Sequence, residues 1–125
     1  MSLILKTRKI DNIAVMDMSG RLVIGEATLL LRATVRKFLE DGTTKFVLNL
    51  GDVSFIDSSG LGELITAYTS IRNREGDVKM LDLAKRAKDL LQMTKLLTVF
   101  DVYDSEVKAI QAMQYGKLSE RLWRP

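Results

Sequence analysis

The chain has 125 residues and a mass of 14.1 kDa, the size of one domain able to bury roughly two-thirds of the surface its unfolded form exposes. Apolar residues make up 46% and charged residues 28%, with one Pro, which excludes the disordered and collagen-like classes. The absence of His and Cys removes Ser-His-Asp triads, thiol nucleophiles, disulfides, iron–sulfur clusters and the usual zinc ligands, and a net charge of +3 is too small for a dedicated nucleic-acid binder.

In chain order, Leu3 to Arg8 and Ile13 to Met18 alternate apolar and polar residues around a turn at Asp11-Asn12, which predicts an N-terminal antiparallel hairpin. Ser19-Gly20 is expected to break the second strand, leaving Arg21 to Ile24 as a short third strand or an extended connection. From Glu26 to Glu40, Ala27, Leu30, Leu31, Thr34, Val35, Phe38 and Leu39 recur three and four apart, predicting an amphipathic helix that Asp41-Gly42 stops. Lys45 to Leu50 then reads as a short buried strand.

Leu61, Leu64, Ile65, Tyr68 and Ile71 predict a helix from about Ser58 to Arg74, ending near Gly76. Val78 to Leu83 is the next strand, Ala87 to Thr94 a helix, Val99 to Tyr103 a last short strand, and Asp104 to Gln114 a helix capped by Asp104 or Ser105. Strand–helix alternation after a hairpin predicts one α/β domain: a mixed sheet with an N-terminal antiparallel hairpin and about four helices packed against it. The domain is expected over residues 1–115, with a polar C-terminal tail over 116–125. Met80, Met93 and Met113 read as core filler, Lys85-Arg86-Lys88 as a solvated helix face or, with Asp82 and Asp89, the rim of a protein interface, and Trp123 as either docked or an oligomer contact. Met1 to Lys6 shows no basic run before an apolar stretch, and no apolar segment approaches the roughly 18 residues of a membrane span. A cytoplasmic, non-membrane protein is expected.

The segment that carries chemistry is Asp57-Ser58-Ser59-Gly60-Leu61-Gly62-Glu63, where a buried strand passes into a helix. Asp and Ser cap helix N-termini by accepting backbone N–H groups that the first turn leaves unpaired, so the plain reading makes Asp57 or Ser58 a cap. Gly60 and Gly62 each cost up to roughly 1 kcal/mol in a first turn relative to Ala, and neither is placed to end the helix. Small residues around a Ser hydroxyl admit another molecule close to the backbone, and the positive helix end accommodates an anion, so the segment is suited to receive or bind a phosphate. Its spacing fits neither a Walker loop nor a hydrolase elbow, and with no His to activate Ser58, serine hydrolysis would need a Lys base that nothing in the local sequence supplies. An enzyme is not expected.

The sequence resembles the bacterial anti-sigma factor antagonists, or anti-anti-sigma factors, of the STAS domain class, from about Leu3 to Met113. The likeness is carried by the strand and motif Phe46 to Gly62, ending Asp57-Ser58-Ser59-Gly60-Leu61-Gly62, by Ser19-Gly20-Arg21-Leu22, and by Leu90 to Phe100. The resemblance implies partner switching. In that family the unphosphorylated protein binds an anti-sigma factor and frees a sigma factor, the anti-sigma factor is also the serine kinase that phosphorylates the motif's first serine, and a serine phosphatase reverses this. That serine matches Ser58, Asp57 matches the acidic residue, and Ser59, Gly60, Leu61 and Gly62 match the partner-contact loop and helix start. Cofactors, metals, membranes and nucleic acid are not implied; a weak homodimer is compatible. Val23 stands where many members carry Asp, and Lys95 where the family often has Gly, which leaves the identity of the partner open. Two other readings of the same residues are a non-switching STAS scaffold subunit of a stress-signalling assembly, with the serine as a cap, and a nucleotide-binding STAS module.

Overall fold

The computed structural model describes residues 3–81 and 100–122. Within them the order is β1 (Ile4–Ile10), β2 (Ile13–Leu22), α1 (Glu26–Glu40), β3 (Lys45–Ile56), α2 (Ser58–Asn73), β4 (Asp77–Leu81), β5 (Asp101–Tyr103) and α3 (Glu106–Leu122). The expected helix over Ala87–Thr94, the end of the strand at Asp82-Leu83, and Met93, Lys85-Arg86-Lys88 and Trp123 lie outside the described residues.

The five strands form one sheet in the order β1-β2-β3-β4-β5, with β1 and β2 antiparallel and the remaining neighbours parallel. This is the expected mixed sheet. The hairpin closes at Ile10↔Ile13, where Asp11 takes a positive φ of 53°. The strands β2, β3 and β4 alternate between two apolar faces. Ala14, Met16, Met18, Phe46, Leu48, Leu50, Val78 and Met80 face a core closed by Ala27, Leu31, Val35 and Leu39 of α1 and Leu61, Leu64, Ala67 and Ile71 of α2. Ile13, Val15, Val47 and Leu81 face the opposite side, where Ala109 and Met113 of α3 cover them.

Three boundaries differ from expectation. Ser19-Gly20 does not end β2: the strand runs on to Leu22 through register shifts between Asp17 and Ser19 and between Gly20 and Arg21, with Gly20 at a φ of 95°. A bulge absorbs the turn-forming residues that read as a break, so no separate strand covers Arg21–Ile24. β3 extends to Ile56 rather than Leu50, because Asp52 to Ile56 pair with Ser19 to Leu22 along the continued β2. α3 runs through Gly116 to Leu122.

The C-terminal end of α1 and the start of α3 follow their sequence signals. Gly42, at a φ of 89°, sends its amide to Leu39 O (3.1 Å) while Thr43 sends its own to Phe38 O (2.9 Å), the paired closure that a left-handed residue permits. Ser105 caps α3 by accepting the Lys108 amide at 3.1 Å. At the same end Arg8 donates to Asp17 at 2.7 Å and also to Glu106, joining β1, β2 and α3. Those carboxylates hold the Arg8 guanidinium well above its ordinary pKa, and Arg8, with Asn49, holds Asp17 below the usual carboxylate range.

Candidate phosphoacceptor and partner site

β2 and β3 run parallel, so their C-terminal ends place the β2–α1 loop and the start of α2 side by side. Asp57 is the N-cap of α2, with extended backbone and a carboxylate that accepts the Gly60 amide at 2.7 Å. Its second oxygen accepts the Ile24 amide at 3.1 Å, so one side chain holds both segments. The Gly60 amide first and the Ile24 amide next hold its pKa below the usual carboxylate range. The carboxylate is charged at neutral pH and fixed in direction.

Of the two residues read as alternative caps, Asp57 caps and Ser58 does not. Ser58 occupies the first helical position and is exposed, with Ser59 half-buried behind it. The motif divides by face: Gly60 and Leu61 are buried, whereas Gly62 is exposed. Leu61 is 8% exposed and belongs to the core, so its side chain is a packing contact. Ser58, Gly62 and Ile65 follow one another on the outer face at helical spacing, and Ile65 is exposed.

The two glycines have different causes. A Cβ on Gly60 would stand 2.1 Å from Leu22 O and 2.9 Å from the Leu22 carbonyl carbon, because the first turn of α2 presses on the end of β2. Its smallness answers to the protein's own backbone, which corrects the expectation that it opens the surface to another molecule. A Cβ on Gly62 would meet nothing within 4 Å. That position is open to an approaching surface.

The amides of the first turn are also less available to a phosphate than a bare helix N-terminus suggests, since Asp57 already accepts one of them. An anion on Ser58 meets the Asp57 carboxylate as well as the positive end of α2.

Sequence reading missed Ile24. It is 73% exposed and lies in the loop whose backbone is tied to Asp57, the residue before the serine. Arg21 to Ile24 read as a short third strand or an extended connection, and the signal that sets Ile24 apart, exposure of one apolar residue beyond the last sheet pairing at Leu22↔Ile56, exists only in the fold. Among the described residues, no group of three or more acidic residues is placed to hold a metal ion, and no helix is long and apolar enough to cross a membrane.

The STAS domain family model matches residues 5–109. An anti-sigma F factor antagonist of Paenibacillus polymyxa is 34% identical over 68 residues, 54% of this chain and 58% of that protein, so the chain spans just over half the length of this relative. The crystal structure of an anti-sigma factor antagonist from Mycobacterium paratuberculosis superposes with a TM-score of 0.77 at 21% identity, over 90% of this chain and 94% of that one. The Bacillus cell fate determinant SpoIIAA in its phosphorylated form gives a TM-score of 0.70 at 21% identity, over 86% and 97% of the two chains.

Proposed function

Since the chain belongs to the STAS domain family, we propose that it is an anti-sigma factor antagonist, a regulatory binding protein and not an enzyme, which works in the cytoplasm by partner switching. In its unphosphorylated state it binds an anti-sigma factor that is also a serine kinase and so frees a sigma factor. Transfer of the γ-phosphoryl group of ATP to the Ser58 hydroxyl, with cleavage of the β,γ-anhydride bond, release of ADP and loss of the hydroxyl proton, ends the binding. A serine phosphatase restores it.

The observation that carries this reading is the placement of Ser58: an exposed hydroxyl at the first position of α2, beside a carboxylate locked by two backbone amides. The carboxylate of Asp57 has both oxygens engaged by backbone amides and a lowered pKa, which makes it a poor base for that hydroxyl and suits a residue acted on by another protein. Phosphorylation adds about 1.5 to 2 negative charges next to Asp57, and a partner packed there must desolvate two adjacent anions. Ile24, Ile65 and Gly62 give that partner an apolar, sterically open surface. The names of the relatives and the phosphorylated state of one structural neighbour support the same reading.

Incubation with ATP and the cognate anti-sigma kinase tests it by intact-mass and peptide mass spectrometry. The expected result is one added phosphate, located at Ser58, with loss of the kinase complex on gel filtration. A complex that survives stoichiometric phosphorylation, or a phosphate found elsewhere, overturns the assignment.

A further inference from the structure

Between α1 and α2 lies a groove of about 640 Å³ that opens on the outer surface and is lined by Arg32, Arg36, Glu63, Thr66, Ser70 and Arg74, with apolar residues at its floor. An arginine crosses between the helices at each end. At the end nearer Ser58, Arg32 of α1 donates through Nε and Nη2 to the two carboxylate oxygens of Glu63, both at 2.9 Å. At the far end, Arg74 donates to the Leu39 carbonyl at 3.0 Å and thereby caps α1.

The Glu63 side chain is only 6% exposed, so its charge requires a partner, and Arg32 is held in one orientation to supply it. The fork leaves the Nη1 donors of Arg32 directed away from Glu63. Arg36, exposed on α1 between the two crossings, pairs with no carboxylate among the described residues. Three guanidinium groups therefore face one carboxylate, and that carboxylate is already neutralised.

Resting on the assignment of an anti-sigma factor as partner, we propose that this groove docks an acidic segment of that same partner, as a second contact beside the Ser58 surface. Charge sets the sign of the occupant and length sets its kind. From Glu63 to Arg74 the rise along α2 is about 16 Å, which suits a run of carboxylates on one face of a helix or extended segment better than a single small anion. The groove begins one turn beyond Ser58, so one partner covers both.

Two assays test the contact. In the first, a fluorescein-labelled 16-residue helical peptide carrying Glu at every third or fourth position, and its Gln counterpart, are titrated by anisotropy at low and moderate salt. The Glu peptide is expected to bind saturably, to shift amide resonances of Arg36, Thr66 and Ser70, and to weaken with salt. Arg36→Glu should weaken it about fivefold, the upper end for one exposed ion pair, and Arg36→Gln by less. Equal binding of the Gln peptide, equal binding by Arg36→Glu, or shifts confined to other surfaces overturns the proposal.

In the second, Arg36→Glu, its fold verified by circular dichroism, should lower affinity for the cognate anti-sigma kinase by a similar factor while saturating kinase still phosphorylates Ser58. Unchanged kinase affinity overturns the groove contact. A wild-type protein that neither binds the kinase nor accepts phosphate overturns the partner-switching reading instead, and the peptide assay then decides by itself whether the groove takes acidic segments.

Discussion

The backbone amide of Ile24 donates to the Asp57 carboxylate at 3.1 Å, a bond that ties the β2–α1 loop to the start of α2 across 33 residues of chain. The other oxygen of the same carboxylate caps α2 through Gly60. One charged side chain therefore pins together the two segments that the parallel pairing of β2 with β3 sets side by side around Ser58.

Asp57→Asn keeps a carbonyl oxygen for the Gly60 amide but replaces the oxygen facing Ile24 with an N–H donor. The fold should survive at neutral pH with a lower melting temperature and faster amide exchange at Ile24. The folded-state pKa of Asp57 lies below its unfolded value near 3.9, so its contribution is fully present above about pH 4 and is lost as pH falls through the folded value. The difference in Tm between wild type and Asp57→Asn should hold from pH 7 to about 4 and shrink toward pH 2. A difference independent of pH would remove the charge from the explanation.

Ser58→Ala should change stability by less than about 0.5 kcal/mol, because the serine is exposed and the cap is Asp57. The variant should bind the anti-sigma factor and resist being switched off by ATP. Calorimetric titration with and without ATP checks both; a folded Ser58→Ala that binds nothing makes the hydroxyl a required contact.

Gly60→Ala and Gly62→Ala should move in opposite directions. The first drives a methyl into the Leu22 carbonyl and should destabilise by about 1–3 kcal/mol or more. The second meets open space and should raise stability by up to roughly 1 kcal/mol while weakening association or slowing phosphorylation. Paired melting curves and affinities on each variant read this out, and a destabilised Gly62→Ala with unchanged affinity counts against the interface.

Ending the chain after Tyr115 keeps Ala109 and Met113, the α3 residues that cover the second face of the sheet. The shortened protein should fold and bind as before, consistent with a domain over residues 1–115, and α3 should fray only at its new end. A drop in Tm of more than a few degrees would place residues 116–125 in the domain.

Helical periodicity placed α1 at its observed bounds, because an amphipathic helix writes its buried face at spacings of three and four along one continuous segment. The hairpin, the strand–helix alternation and the motif at the head of α2 were legible for the same reason: each is a local pattern. Ser19-Gly20 misled because a turn-forming pair and a bulge within a long strand use the same residues. Which it becomes depends on whether a neighbouring strand continues to pair, as β3 does through Ile56.

By itself, then, the sequence determined the class of the fold, the α2 start as the chemically distinctive segment, and the exclusion of histidine and thiol chemistry. Tertiary structure decided the division of labour within that segment. Asp57 became the cap that also holds Ile24, Gly60 became a packing requirement against Leu22, Ser58 and Gly62 were left outside, and Glu63 was buried against Arg32 of another helix. The contacts of Asp57 with Ile24, of Gly60 with Leu22 and of Glu63 with Arg32 are relations between residues far apart in the chain. Only the parallel pairing of β2 with β3 and the packing of α1 beside α2 bring their atoms within contact distance, so no local pattern could have carried them.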